Sequence, residues 1–159
     1  MIRLIPFGDM DDTRKRMVLS WRNHNNVRIW MVHHDIIALD THLHFIQSLE
    51  KRPDKAYFLV QRDEEYLGVI DFNAITHDSA ELGIYANPDL HRVGTILMET
   101  LLEYAFNTLN LTRLYANVFS DNIRAKHLYE KFDFTETGRI TSEGREMICM
   151  ERTHEHRTP

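Results

Sequence analysis

The sequence predicts a mixed α/β fold: one central sheet of about seven strands, flanked by about four helices. Three observations carry this. Runs with strand period and runs with helix period follow one another in the order β-α-α-β-β-β-α-β-α-β-β. Hydrophobic residues are 43% of 159, enough for one buried core, and no repeat or low-complexity linker divides the chain. Glycines and prolines are few, 6 and 4, as in a globular rather than a disordered chain. The expected organisation is a single α/β domain over 1–152 with a polar, frayed tail over 153–159.

The elements are justified in order. Met1 to Phe7 suits a short first strand. From Asp11 the pattern turns helical, carrying Met17, Leu19 and Trp21, and ends near Asn25-Asn26. Val27 to Ile37 has no clear period, although apolar Ile29, Trp30 and Met31 suit the wall of a groove. Thr41 opens a second helix with Leu43, Ile46 and Leu49 on one side and Pro53 beyond its end. Ala56 to Gln61 and Tyr66 to Phe72 are strands of a hairpin around Asp63-Glu64-Glu65. Ser79 to Ala86 is a fourth strand, broken by Asn87-Pro88-Asp89 because proline has no N–H for the ladder. Leu97, Leu101, Leu102, Ala105 and Leu109 form the apolar face of a third helix. Leu114, Ala116 and Val118 alternate with Tyr115, Asn117 and Phe119 in a fifth strand. Ser120-Asp121-Asn122 supplies capping side chains, and Ala125, Leu128, Tyr129 and Phe132 follow at i, i+3, i+4 and i+7 on a fourth helix. Phe134 to Gly138 is a sixth strand, Gly144 a turn and Glu146 to Glu151 a seventh strand.

Net charge is −5, which argues against a nucleic acid held by bulk charge. No apolar run reaches membrane-spanning length, and the first residues are not a signal peptide. The single Cys149 cannot form an intramolecular disulfide and reads as a buried structural thiol. These features predict a cytoplasmic protein. There are ten histidines, but His33-His34 and His42-x-His44 do not give a strong zinc spacing, so no metal is expected.

The run Asn122-x-x-Ala125-x-x-Leu128-Tyr129-x-x-Phe132-Asp133-Phe134 resembles the signature N-x-x-A-x-x-φ-Y-x-x-x-G-F of the GNAT superfamily of N-acetyltransferases, φ being apolar. Asp133 stands where that family has glycine, a site that needs a left-handed backbone, which Asp tolerates better than most residues. Asp89 to Gly94 sits where the family has its pyrophosphate loop, Q/R-x-x-G-x-G/A. Asp89 replaces the Q/R position, Arg92 replaces the first glycine and Gly94 matches the last. Read alone, the loop is either an ordinary helix start or a phosphate cradle of free N–H groups. The resemblance implies the GNAT fold, splayed between its fourth and fifth strands, with acetyl-CoA as cosubstrate. It implies that Ile84, Tyr85 and Ala86 present backbone donors to the acetyl carbonyl. It implies that Arg92, Val93, Gly94 and Thr95 hold the pyrophosphate, with Arg92 adding a charged contact, and that Asn117, Asn122 and Lys126 touch the cofactor arm. Tyr129 would protonate the leaving thiolate. Asn122 reads equally as a plain helix cap. Glu81 reads either as a base working through water or as a solvated or paired residue on a strand.

A narrower resemblance concerns the acceptor. Arg22-Asn23-His24, Trp30-Met31, Thr41-His42-Leu43-x-Phe45-Ile46, Tyr57-Phe58-Leu59 with Leu67-Gly68-Val69, and Gly83-Ile84-Tyr85-x-x-Pro88-x-Leu90 are similar to the acetyltransferases of bacterial pseudaminic acid biosynthesis. Those enzymes acetylate the 4-amino group of a UDP-linked amino-dideoxy sugar. By that resemblance Arg22 would hold the diphosphate, Trp30 and Met31 would wall the uracil or sugar, and His42 would bond a phosphate or hydroxyl. Each has a plainer reading: a helix C-terminal cation, a core residue and an exposed helix residue. Two other readings stay open: a GNAT enzyme acting on a polyamine, antibiotic or protein N-terminus, and a non-catalytic acyl-CoA-binding module. A homodimer is also left open.

Overall fold

The computed structural model describes residues 1–154. Its elements are β1 (Ile2–Pro6), α1 (Asp12–Asn23), α2 (Asn25–Arg28), α3 (Leu39–Ser48), β2 (Ala56–Arg62), β3 (Glu65–Asn73), β4 (Ser79–Ala86), α4 (Gly94–Glu103), β5 (Arg113–Phe119), α5 (Ile123–Lys131), β6 (Thr135–Ser142) and β7 (Arg145–Thr153). All seven strands join one sheet in the order β1-β2-β3-β4-β5-β7-β6. Every neighbouring pair is antiparallel except β4 and β5, which are parallel. No helix among the described residues is long and apolar enough to cross a membrane.

Strand alternation sends each strand's residues to two faces, and each face has its own core. Phe58, Ile70, Phe72, Leu82, Leu114, Ala116 and Val118 pack against Leu97, Met98 and Leu101 of α4 and Leu128 and Tyr129 of α5. On the opposite face Tyr57, Leu59, Val69 and Tyr85 meet Val18 and Trp21 of α1 and Ile46 of α3. The sheet is therefore covered on both sides, with α4 and α5 on one and α1 and α3 on the other.

The feature that makes a site is the β4–β5 pairing. It runs only from Ser79–Arg113 through Ala80–Leu114 to Glu81–Tyr115. Both strands continue, but as separate edges: Leu82 to Ala86 keep β3 on one side, and Ala116 to Phe119 keep β7. A wedge opens in the middle of the sheet, as the resemblance implied.

Several expected boundaries move. The first helix ends at Asn23, near the expected Asn25-Asn26, but that pair also starts a short α2, because His24 is extended and its Nδ1 accepts the Asn26 N–H at 3.1 Å. This adds a fifth helix to the expected four. The helix expected to open at Thr41 opens at Leu39, with Asp40 in its first turn where a negative charge suits the helix dipole. The α4 helix does not run regularly to Leu109. It passes into a π-helical turn over Tyr104–Thr108, closed by Leu109 N–H on Tyr104 O at 3.0 Å. The sixth strand begins at Thr135 and runs on to Ser142, because an irregularity at Glu136–Gly138 absorbs a residue and lets pairing with β7 resume. It is an exposed edge, so burial leaves no alternation in its sequence. Arg139 binds Glu136 and Glu146 along that edge, a charged guard against strand addition. At the C-terminus Thr153 still pairs with Arg113, and the His154 N–H donates to Thr112 O at 2.7 Å. The rest of the expected frayed tail, 155–159, lies outside the described residues.

Candidate active site at the β4–β5 wedge

The helix after the wedge brings the first group. Asn122 caps α5: its Oδ1 accepts the Ala125 N–H at 3.2 Å. The helix then runs nine residues and ends at a left-handed Asp133, φ 69°, where the signature has glycine. Short polar Asp adopts that conformation at modest cost, so the departure leaves the helix end intact. The stripe from this helix buries Tyr129, 8% exposed, with its ring edge-on to Phe134 at 5.2 Å. Burial raises the phenol's pKa, and the charges of Asp71 and Glu81 raise it further. Tyr129 thus keeps its proton through neutral pH, and its hydroxyl lies within the field of two carboxylates.

Those carboxylates come from the other strands. Asp71 is central on β3, opposite Tyr57 on β2 and Gly83 on β4. A Cβ on Gly83 would collide with both carboxylate oxygens of Asp71, so the glycine makes the room. Asn73 donates to Asp71 Oδ1 at 3.0 Å and accepts from Lys55 Nζ at 2.7 Å and Tyr57 OH at 2.9 Å. Asp71 is 8% exposed, and burial, with the neighbouring Glu81 charge, pushes its carboxyl up to about 7. Glu81 is half-buried at the last paired position of the wedge, opposite Asn73 and Tyr115. Gly83 lies two residues beyond, so Asp71 looks over the opening.

Arg22 approaches from α1. Its Nη2 donates to His33 O at 2.6 Å, while Nη1 is buried without a hydrogen-bond partner among the described residues. Burial lowers its pKa, opposed by Tyr85, Tyr57 and Asp71, which places the cation beside those three. The phenols of Tyr57 and Tyr85 are both pushed up, first by burial and then by Asp71. A buried donor without an acceptor costs about 1–3 kcal/mol, and an anionic or hydroxyl-bearing ligand would relieve it.

The loop after α2 is tied down by main-chain acceptors. Besides Arg22, Arg28 Nη1 donates to His34 O at 3.1 Å, and Asn23 exchanges two bonds with the Ile37 backbone. Trp30 sits 5.8 Å from the Arg145 guanidinium, which also lies 3.7 Å over Phe119 and donates to Ile29 O at 3.0 Å. Arg145 thereby fastens the 29–31 turn to the open end of β5, and Met31, next to Trp30, is half-buried. His42 is elsewhere. It is 7% exposed, its Nε2–H donates to Lys15 O at 2.9 Å, and burial lowers its pKa. It joins α3 to α1 as a neutral ring and is not presented to the wedge as a phosphate donor.

On the α4 side, the Asp89–Gly94 loop takes a left-handed turn at Arg92, φ 62°, the position where the family has glycine. Arg92 is exposed, Val93 is buried at 6% and anchors the loop, and Gly94 faces Leu128 of α5. The Thr95 hydroxyl accepts from Lys131 Nζ at 3.3 Å. Lys131 thus adds a second cation near this helix start, beside Arg92. Lys126 instead borders a depression with Asp133, Thr135, Glu136 and Met150. Asn117 is exposed on the free part of β5. Asn122 spends its carbonyl oxygen on the cap. The backbone of Ile84, Tyr85 and Ala86 has no strand on its β5 side. The arrangement fits acetyl-CoA: a slot between two strand edges, a helix start with an exposed cation, and a protonated phenol beneath. Among the described residues no group of three His, Cys, Asp or Glu gathers as a metal site.

Sequence reasoning missed Asp71, Asn73, Arg145 and Lys131. Asp71 had a signal, a lone carboxylate inside the apolar run Leu67-Gly68-Val69-Ile70-Asp71-Phe72. The others had none, since each acts through a partner distant in sequence.

Comparison with known proteins agrees with this geometry. The family model described as Acetyltransferase (GNAT) family matches residues 16–134. The acetyltransferase PseH of Campylobacter jejuni subsp. jejuni serotype O:2 is 38% identical over 156 residues, covering 97% of this chain and 96% of that protein. The crystal structure of C. jejuni N-acetyltransferase PseH in complex with acetyl coenzyme A superposes with a TM-score of 0.82 at 32% identity, covering 98% of this chain and all of that one. A spermidine N(1)-acetyltransferase of Vibrio cholerae is 25% identical over 151 residues, covering 89% and 82% of the two chains. With the wedge, the buried tyrosine and these likenesses together, the chain belongs to the acetyltransferase (GNAT) family and is an acetyl-CoA-dependent N-acetyltransferase.

Proposed function

We propose that the protein acetylates the 4-amino group of UDP-4-amino-4,6-dideoxy-N-acetyl-β-L-altrosamine, a step of pseudaminic acid biosynthesis, with Tyr129 as the general acid. The observation that carries this is the pairing of two groups across one wedge: a buried phenol behind it, and in front of it the Arg22 guanidinium with an unsatisfied Nη1. Acetyl-CoA supplies the activated acyl group. The chain's residues do the rest. The unpaired backbone edge at Ile84–Ala86 offers N–H groups to a developing oxyanion, usually the largest catalytic contribution. Tyr129 stands ready to donate a proton to the departing sulfur. Arg22 and the aromatic rings of Tyr57, Tyr85 and Trp30 suit an acceptor with both anionic and planar parts. The likeness to PseH over nearly the whole chain supports the same acceptor class.

A second reading keeps the chemistry and changes the acceptor. Asp71 and Glu81 beside the wedge would also receive a polyamine, and a spermidine acetyltransferase is among the relatives. Coenzyme A release, followed with a thiol reagent, separates the two. Acetyl-CoA is supplied with the UDP-amino sugar, with spermidine, or with a peptide N-terminus. Fast release with the sugar nucleotide alone is expected; release only with spermidine or peptide overturns the assignment. Binding of acetyl-CoA with no release from any amine points to a non-catalytic module.

A further inference from the structure

The face of the wedge opposite Tyr129 holds a group that the acetyl transfer above does not use. We propose that Asp71 is a catalytic residue: its free carboxylate oxygen receives the acceptor's ammonium group and takes its proton before attack. This rests on transfer to an amine, and not on which amine is the acceptor.

Three independent features of the fold converge on Asp71. It is a carboxylate in the middle of β3, on the face that carries Tyr57 and Tyr85. The only side chain that could stand between it and β4 is absent, because its cross-strand neighbour is Gly83. One oxygen is fixed by Asn73, itself held by Lys55 and Tyr57, and the other accepts no hydrogen bond from a described residue. A carboxylate oriented by its second oxygen, with an open oxygen at the mouth of a slot, is built to accept from an incoming donor. Its level also fits. Gly83 lies between the last paired residue, Glu81, and the free backbone edge at Ile84–Ala86, where the acetyl carbonyl is expected.

The charged and titratable groups around Asp71 are Lys55 just before β2, Tyr57 from β2, Glu81 and Tyr85 from β4, Arg22 from α1 and Tyr129 from α5. Burial and Glu81 favour the protonated carboxyl, while Lys55, Asn73 and Arg22 favour the carboxylate. The balance falls near neutrality, where a base is most useful. Glu81 is the rival base, but it sits deeper, at the closed end of the wedge, where β4 and β5 are still paired.

The step balances as follows. An ammonium N–H bond breaks and its proton passes to Asp71, which later releases it to solvent. The freed lone pair forms the N–C bond as the C–S bond breaks. Tyr129 gives its proton to the sulfur, and the second proton lost from nitrogen restores the phenol through solvent. The sum is ammonium plus thioester giving amide, thiol and one proton.

The test is the pH profile of kcat/KM for wild type, Asp71→Asn and Glu81→Gln, with the UDP-amino sugar and with spermidine. It is joined by a carbon-13 NMR titration of the Asp71 carboxyl in the acetyl-CoA complex. Wild type should gain activity as pH rises through about 7. Asp71→Asn should lose roughly 10²–10⁴-fold and lose that limb, with acetyl-CoA affinity retained and the melting temperature at pH 8 no lower than wild type. Glu81→Gln should move the limb toward lower pH, since a neighbouring negative charge is gone. The proposal is overturned if Asp71→Asn keeps the wild-type limb, or if the limb vanishes in Glu81→Gln and survives in Asp71→Asn. Should neither amine be acetylated, the acceptor reading fails, and the NMR titration still decides for Asp71: a midpoint near 7 supports it and one near 4 overturns it.

Discussion

At the scale of single residues, the site depends on atoms with one job each. The Tyr129 ring packs against Phe134, while the proposed proton donation needs only its hydroxyl, so removing the hydroxyl separates the two roles. Tyr129→Phe should lower kcat roughly 10²–10⁴-fold while the melting temperature and acetyl-CoA affinity stay near wild type. A matching loss of acetyl-CoA binding would show instead that the phenol holds the cosubstrate. Gly83 has the opposite character, since its value lies in what it lacks. Gly83→Ala would drive a methyl group into the Asp71 carboxylate, at a cost of about 1–3 kcal/mol from overpacking. Thermal unfolding reads that cost, and Gly8→Ala, with open space around it, is the control expected to change little.

At the scale of elements, the wedge is framed by parts that must hold still. Arg145 at the start of β7 reaches Trp30, Phe119, Asp121 and the Ile29 carbonyl, joining the 29–31 turn, the proposed acceptor wall, to the sheet. Arg145→Ala should raise KM for the acceptor several-fold and leave KM for acetyl-CoA unchanged, because the loop carrying Arg92 hangs on α4. Equal effects on both would remove Arg145 from acceptor binding. The α5 helix depends on its cap. Asn122→Ala should cost about 1 kcal/mol, read as a lower melting temperature, whereas Asn122→Asp or Ser should keep most of the stability.

For the whole molecule, the wedge has a price in stability that depends on pH. Asp71 is pushed from an unfolded value of 3.8 up to about 7 on folding. Between those values the folded state holds the extra proton, so stability falls as pH rises through that window. The contribution is present below about 4 and lost above about 7, and amounts to about 4 kcal/mol if the whole shift is expressed. Asp71→Asn removes it. The difference in melting temperature, Asp71→Asn minus wild type, should therefore grow in favour of Asp71→Asn from pH 5 to pH 8. A flat difference would mean that Asp71 is ionised normally in the folded protein.

The order of strands and long helices, the α5 stripe with Tyr129 and its cap, and the wedge-bearing family were all legible in the sequence. Each is encoded locally, in side-chain period and in spacings of a few residues. Boundaries failed where local pattern was silent, at the exposed β6 edge and at the short α2. Site residues failed for a different reason. His42 looked like an exposed helix residue or a ligand until α1 packed over it, and Lys131, which reaches Thr95 at the start of α4, was not singled out at all. The sequence by itself determined the elements and the place of Tyr129 on the buried stripe of α5, because short-range periodicity and capping write those into neighbouring residues. Only the tertiary structure decided the company that Tyr129 keeps. Asp71, Gly83 and Arg22 meet through strand register and helix packing, and those contacts join residues about 12 to 60 positions apart.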